Sequence, residues 1–367
     1  MKAALINDIQ LLGTVTFAIL FASALLIGRL PPPRHILRTL TLWILLILAA
    51  VASLNYFVNP LGLYPTHFIQ PIILTSRVDK VRLLNMRDPI PQIVIMGSSR
   101  SFTMPPANIQ QITGQPAFNA SFEGGYPLDY LAFAQYAIQT GKSPSVFIVG
   151  LGLEQLQQSY GADEPTNPLV AYIGDVSPVD QILIAGGQFL ELFSFDQTDA
   201  TSRALALEVL GRGTPHYVFD ADGLGHFYQP DTLEAAVDKY INLPGWNTPP
   251  TQLTDENIEY LAKFLQVCQQ HHIFVIFYLP PYHPRITAFY EQSPGFVALK
   301  KRILALFASW QQQYKYQFTV YDFLHVDSFS GDATMFVDGV HPSEAAARLM
   351  LDVMLHDLSR SKPGNVF

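Results

Sequence analysis

Ile93-Val94-Ile95-Met96-Gly97-Ser98-Ser99-Arg100-Ser101 is the stretch from which the fold reads outward. Its four leading apolar residues predict a buried strand, and Gly-Ser-Ser-Arg-Ser predicts a tight turn at the strand's end. A serine where a buried strand gives way to a turn lies at the C-terminal edge of an α/β sheet. That edge is where open α/β folds place their ligands. Gly97 lets the backbone bend there, and amides left free beyond the strand can face an oxyanion.

Downstream, Pro105-Pro106 delays a short helix over 107–113, and the apolar segment 116–120 predicts a second strand. A Gly-bearing turn then opens a helix from about Leu128 to Gln139. Gly141-Lys142-Ser143-Pro144 breaks that helix, and residues 145–151 predict a third buried strand. The rhythm resumes at Thr254, an N-cap with Asp255 and Glu256 in the first turn of a helix to Gln270. A fourth strand over 272–279, a helix over 296–314, a fifth strand over 318–323 and a last helix from Glu344 to about Leu358 complete it. Strands alternating with helices predict an α/β fold: a five-stranded parallel sheet with right-handed crossovers, in a flavodoxin-like three-layer arrangement.

Residues 155–250 interrupt this pattern with Gln, Gly, Pro and aromatics, and with helical patches near 180–193, 201–210 and 232–240. That is too long for a plain loop and reads as a mainly helical insertion or lid over the functional edge. Phe219-Asp220-Ala221-Asp222-Gly223-Leu224-Gly225 reads as a turn, and its spaced acids lack the twelve-residue calcium-loop pattern.

Of the 367 residues, 49% are apolar and only 14% charged, against about a quarter charged in ordinary soluble proteins. Two uncharged, mostly apolar runs, 9–28 and 39–58, account for the deficit, each about long enough to cross a bilayer. The connector between them carries Arg29, Arg34 and Arg38 around Pro31-Pro32-Pro33. By the positive-inside rule it lies in the cytoplasm, so everything after residue 58 faces outward. The expected organisation is a transmembrane hairpin over 1–60 and a lead-in over 61–90 with a short basic helix near Arg77–Arg82. An α/β domain over 91–154 and 251–358 follows, split by the insertion over 155–250. A net charge of −8 with no basic run in the main body argues against nucleic acid as a partner. Cys268 is the sole cysteine, which excludes an intrachain disulfide and a cysteine-based zinc site.

Near the C-terminus, Asp338-Gly339-Val340-His341 precedes an Ala-rich helix. In a turn, this spacing can bring the Asp338 carboxylate to one imidazole nitrogen and leave the other free to take a proton from Ser99. Gly124 is placed by topology to offer a second oxyanion amide, or serves only as a turn glycine. Asn119 can order the same turn by an Asx bond. Arg100 either binds an anionic group or serves as a structural ion-pair partner. His271, His272, His283 and His325 fall near strand ends, and no metal or other cofactor is expected.

Gly97-Ser98-Ser99, Asn119-Ala120-Ser121-x-x-Gly124 and Asp338-x-x-His341 resemble, in order and sheet position, the first, second and last blocks of the SGNH/GDSL hydrolase superfamily. The likeness spans roughly residues 85–355 without the insertion. It looks most like the membrane-anchored extracytoplasmic branch of the alginate O-acetylation and teichoic-acid D-alanylation proteins. The resemblance implies Ser99 as nucleophile, His341 as base, Asp338 as its orienter, and the Ser99 and Gly124 amides as oxyanion donors. Arg100 and Asn119 are candidate substrate-binding residues. Gly-Ser-Ser stands for the usual Gly-Asp-Ser, and Leu153 occupies the place of the third-block Asn, itself an oxyanion donor. The implied protein is a plasma- or inner-membrane serine esterase or O-acyltransferase facing the periplasm or exterior. It would modify envelope or exported polysaccharide, with a multispanning membrane acyltransferase as partner. A catalytically silent scaffold or glycan-binding subunit is the alternative, and nothing marks the acyl-chain tunnel of a lipase.

Overall fold

A computed structural model describes residues 33–60, 64, 76–157, 169, 189–210, 217–227, 231–243, 248–314 and 318–360. Seven strands occur among them: β1 (Ile93–Met96), β2 (Ala117–Asn119), β3 (Val146–Gly150), β4 (Tyr217–Phe219), β5 (Gly225–Phe227), β6 (Phe274–Leu279) and β7 (Phe318–Asp322). Five form one parallel sheet in the order β2-β1-β3-β6-β7, the expected five-stranded sheet, and β4 and β5 pair separately as an antiparallel hairpin. After β1 the chain goes to β2 on one side and to β3 on the other. The strand order therefore reverses between β1 and β3, and in open α/β sheets ligands bind beyond the C-terminal strand ends at such a point.

Every residue of β1 and β3 is buried, which explains why both read as continuous apolar runs. Strand alternation sends Val94, Met96, Phe147, Val149, Val275 and Phe277 into one core with Tyr130, Phe133, Phe264 and Phe307. Ile93, Ile95, Val146, Ile148 and Ile276 enter a second core with Ile109, Ala346, Met350 and Met354. Helices Pro127–Gln139, Asp255–Gln270 and Pro294–Tyr314 thus cover one face, and Pro106–Thr113 and Glu344–Arg360 the other. At about 1.5–3 kcal/mol per buried large apolar side chain, these two layers dominate the stability of the sheet. Local chemistry agrees with the packing. Thr254 caps its helix by accepting from the Asn257 amide at 3.3 Å, and Gly114, at φ +73°, ends the helix begun at Pro106.

The structure adds two elements to those expected. Residues 220–224 form the expected turn, and it joins β4 to β5 as the tip of an antiparallel hairpin, whose three-residue strands are too short to show alternation. Pro284 starts a helix to Tyr290, capped by His283 Nδ1, which accepts from the Arg285 amide at 3.3 Å. Within the insertion, helices Phe195–Leu210 and Leu233–Asn242 cover the expected helical patches near 201–210 and 232–240, whereas 180–188 lies outside the described residues.

The lead-in helix Ser76–Asn85 is anchored by a buried bidentate pair, Arg77 to Asp129 at 2.7 and 2.6 Å. Asp129 also accepts from the Tyr126 amide at 3.0 Å, which closes the N-terminus of helix Pro127–Gln139 beside the Gly124 turn.

Contacts divide the chain into two units, Met1–Leu54 and Asn55–Phe367. One helix, Pro33–Val58, carries the described part of the first, so the end of the expected connector is helical. Its stretch Arg38–Val58 has mean hydropathy 2.1 and is long and apolar enough to cross a membrane, with Leu42, Trp43, Ile44, Leu45 and Leu46 exposed. The other expected span, 9–28, lies outside the described residues. In the second unit, Asn55 is buried and donates to Leu192 O at 2.8 Å and Thr198 Oγ1 at 3.1 Å.

Candidate active site

β1 ends at Gly97, where a Cβ would overlap Ser101 Oγ and press on the Gly150 carbonyl, so glycine is required. Ser98 then caps a one-turn 3₁₀ helix, Ser99–Ser101, its hydroxyl 3.4 Å from the Arg100 amide. This turn lifts Ser99 to the sheet edge as a partly exposed side chain.

Ser99 Oγ lies 2.9 Å from His341 Nε2, and His341 Nδ1 lies 2.7 Å from Asp338 Oδ2. With Nδ1–H donating to the carboxylate, Nε2 is left as an acceptor for the serine hydroxyl. The second Asp338 oxygen accepts from the Val340 and His341 amides, both at 2.8 Å, which holds the carboxylate against its own turn. The loop is closed behind it by the Phe336–Pro342 bridge and by Val337 N donating to His341 O at 2.9 Å. Burial pushes the Asp338 carboxyl pKa up. The hydrogen bond from His341, its charge and the two amides outweigh that and hold the pKa below the ordinary value.

Gly124 has φ +57°, a conformation glycine adopts at no cost. Its turn folds back on the first block, with Phe122 N donating to Gly97 O at 2.9 Å and Gly125 too close to that carbonyl for any side chain. Among the described residues, the Ser99 and Gly124 amides donate to no protein acceptor.

Arg100 is occupied within the protein, which favours the ion-pair alternative over substrate binding. Nη1 donates to both Glu154 carboxylate oxygens at 3.0 and 3.2 Å, and Nη2 to Pro280 O and Pro281 O at 2.8 and 2.7 Å. Nε donates to Val340 O at 3.2 Å, and the guanidinium lies 3.8 Å from the Tyr282 ring centroid. Tyr282 OH donates to Glu154 at 2.5 Å. Burial pulls the Arg100 pKa down, but Glu154 and Tyr282 raise it on balance. Arg100 thus ties the serine turn to the residue preceding His341. Replacing it with Met strands Glu154 and three carbonyls and is expected to cost roughly 3 kcal/mol, the lower end for a broken buried pair. The lower end applies because the Glu154 side chain is 35% exposed. A lowered midpoint in chemical denaturation checks this.

Asn119 is likewise withdrawn from substrate, being fully buried. Its Nδ2 donates to the Ser101, Phe102 and Met104 carbonyls at 2.8, 3.1 and 3.0 Å, and its Oδ1 accepts from Ser121 N at 3.0 Å, the expected Asx bond. Leu153 is 1% exposed and packs in the hydrophobic core, and a side chain at Gly152 would overlap Gln155 Oε1. Neither position supplies a side-chain donor in place of that Asn.

The other histidines serve elsewhere. His271 and His272 precede β6 and so lie at the N-terminal edge, His283 caps a helix, and His325 pairs with Glu291 at 2.9 Å. Among the described residues, no group of three or more His, Cys, Asp or Glu could hold a metal ion. Sequence reasoning missed Glu154 and Tyr282, and also Phe227, whose ring centroid is 4.5 Å from that of His341. No local pattern marks them, because each acts through a partner far along the chain.

No protein-family model matches the chain, and no curated protein matches it. Among solved structures, one it resembles is a Bacteroides fragilis protein provisionally assigned as an acylhydrolase. The TM-score is 0.36 and the identity 11%, over 77% of this chain and 96% of that one, a weak likeness.

Proposed function

We propose that the chain is a membrane-anchored serine esterase or O-acyltransferase, moving an acyl group, most simply acetyl, through an ester on Ser99 to a sugar hydroxyl or to water. The observation that carries this reading is the Ser99–His341–Asp338 hydrogen-bond relay at the C-terminal edge of β1. His341 Nε2 takes the Ser99 proton as Oγ attacks the acyl carbonyl, and Asp338 stabilises the resulting imidazolium. The carbonyl oxygen becomes an oxyanion facing the Ser99 and Gly124 amides. The imidazolium then gives its proton to the departing alcohol, leaving acyl-Ser99. An incoming hydroxyl, deprotonated by His341, reverses the sequence and frees the serine.

The exposed apolar helix Arg38–Val58 supports membrane anchoring. A site facing the periplasm or exterior follows from the Arg-bearing connector by the positive-inside rule. Envelope or exported polysaccharide as acceptor and a multispanning acyltransferase as donor follow from the motif resemblance alone. One observation favours a second reading, a silent scaffold or glycan-binding subunit: Leu153, buried in the core, leaves the site without the third-block Asn side-chain donor. Losing such a donor costs about 10²–10³ in rate, which slows an enzyme without abolishing it. Covalent labelling of the full chain by a fluorophosphonate separates the two readings. It is expected in wild type and absent in Ser99→Ala, whereas a scaffold labels in neither.

A further inference from the structure

We infer that the β4–β5 hairpin of the insertion belongs to the relay, with Phe227 as a positioning residue that holds the His341 imidazole by its face. This rests on the reading of His341 as the base. The hydrogen bonds to Asp338 and Ser99 act in the plane of the imidazole and leave tilting out of that plane weakly opposed. Phe227 supplies the missing restraint, its ring 4.5 Å from the imidazole centroid at an interplanar angle of 38°.

Phe227 is itself fixed from behind. Phe102, three residues beyond Ser99, stacks on it at 5.7 Å and meets Phe219 edge-on at 5.1 Å, so each hairpin strand delivers one aromatic to the segment after the serine. The backbone registers the hairpin against both blocks: Gly225 N donates to Phe102 O at 2.8 Å, and Asn119 N to Asp222 O at 2.9 Å. Gly223, at φ +83°, comes so close to the Asn119 carbonyl that no side chain fits. Lys80 closes the joint. It is fully buried, its ammonium donates to the Asn119 and Gly223 carbonyls, and it lies 4.0 and 5.4 Å from the Phe219 and Phe102 ring centroids. A desolvated cation held by carbonyl dipoles and aromatic faces is a strong fastening. One packed seam therefore runs from the lead-in helix through the hairpin to the imidazole, and its function is to set the imidazole plane.

Two variants of the full chain in detergent test this. Phe227→Leu keeps bulk and removes the aromatic face, while Phe227→Tyr keeps the face. Fluorophosphonate labelling at saturating probe is expected to slow about tenfold in Phe227→Leu with little change in probe affinity, and to stay within about twofold of wild type in Phe227→Tyr. The independent readout is the His341 ring ¹³Cε1–¹H resonance, assigned by its loss in His341→Gln. It is expected to lose its aromatic ring-current shift in Phe227→Leu and keep it in Phe227→Tyr. Wild-type labelling rate and an unmoved resonance in a folded Phe227→Leu protein overturn the inference. Should wild-type Ser99 prove unreactive, the reading of His341 as base falls. The resonance then decides alone: a shift confined to Phe227→Leu retains the imidazole restraint, and no shift ends it.

Discussion

With His341 replaced by alanine, turnover of an aryl acetate is expected to fall by about 10⁴–10⁶-fold. The serine hydroxyl loses the one base that, among the described residues, is placed to take its proton, since Oγ meets His341 Nε2 at 2.9 Å and Arg100 beside it is bound to Glu154 and to carbonyls. Ser99→Ala is expected to cost a similar factor, and the double variant no more than the larger single one, because residues acting as one unit are not additive. Steady-state rates for the three variants check both statements. A loss below tenfold in His341→Ala contradicts the relay.

Asp338→Asn is expected to lower the same rate by about 10⁴-fold while leaving the fold intact. The amide oxygen can keep the hydrogen bonds from the Val340 and His341 amides, so the turn survives. The new NH₂, facing His341 Nδ1, forces that nitrogen to accept. The proton then sits on Nε2, the wrong nitrogen to activate Ser99. The pH behaviour follows from the lowered pKa of Asp338. A depressed carboxyl contributes above its unfolded pKa of about 3.9, and that contribution is lost as pH falls through the lower folded value. Asp338 is therefore ionised throughout about pH 5–8, and its own titration is expected to add no step to the Asp338→Asn deficit across that window. A pH–rate profile checks it, with a cooperative thermal transition retained to show that the fold survives.

What could be read from the sequence was what burial or local spacing encodes. β1, β3 and β6 are sandwiched between helix layers, so each appears as an uninterrupted apolar run, and their order with the intervening helices implies a parallel sheet. Asp338 and His341 lie three residues apart in one turn, close enough for spacing alone to suggest their contact. Arg100 shows the limit. Both of its readings were consistent with its neighbours in sequence, and only Glu154, Pro280 and Val340, brought in by three other segments, decide between them. The hairpin escaped because strands of three residues carry no periodic signal, and Phe227 because an aromatic in a turn-rich stretch looks like any core residue until His341 is beside it. In the sequence, Lys80 reads as one charge of a short basic helix. In the folded chain its ammonium meets carbonyls of β2 and the hairpin instead.

The central claim is that Ser99 is an activated nucleophile, and the most direct measurement is fluorophosphonate labelling of the full chain in native membranes, followed by peptide mapping. The account predicts one labelled site, Ser99, with labelling lost in Ser99→Ala and His341→Ala although both proteins accumulate at wild-type levels. Folded wild-type protein that stays unlabelled there, or that is labelled at another residue, would contradict it.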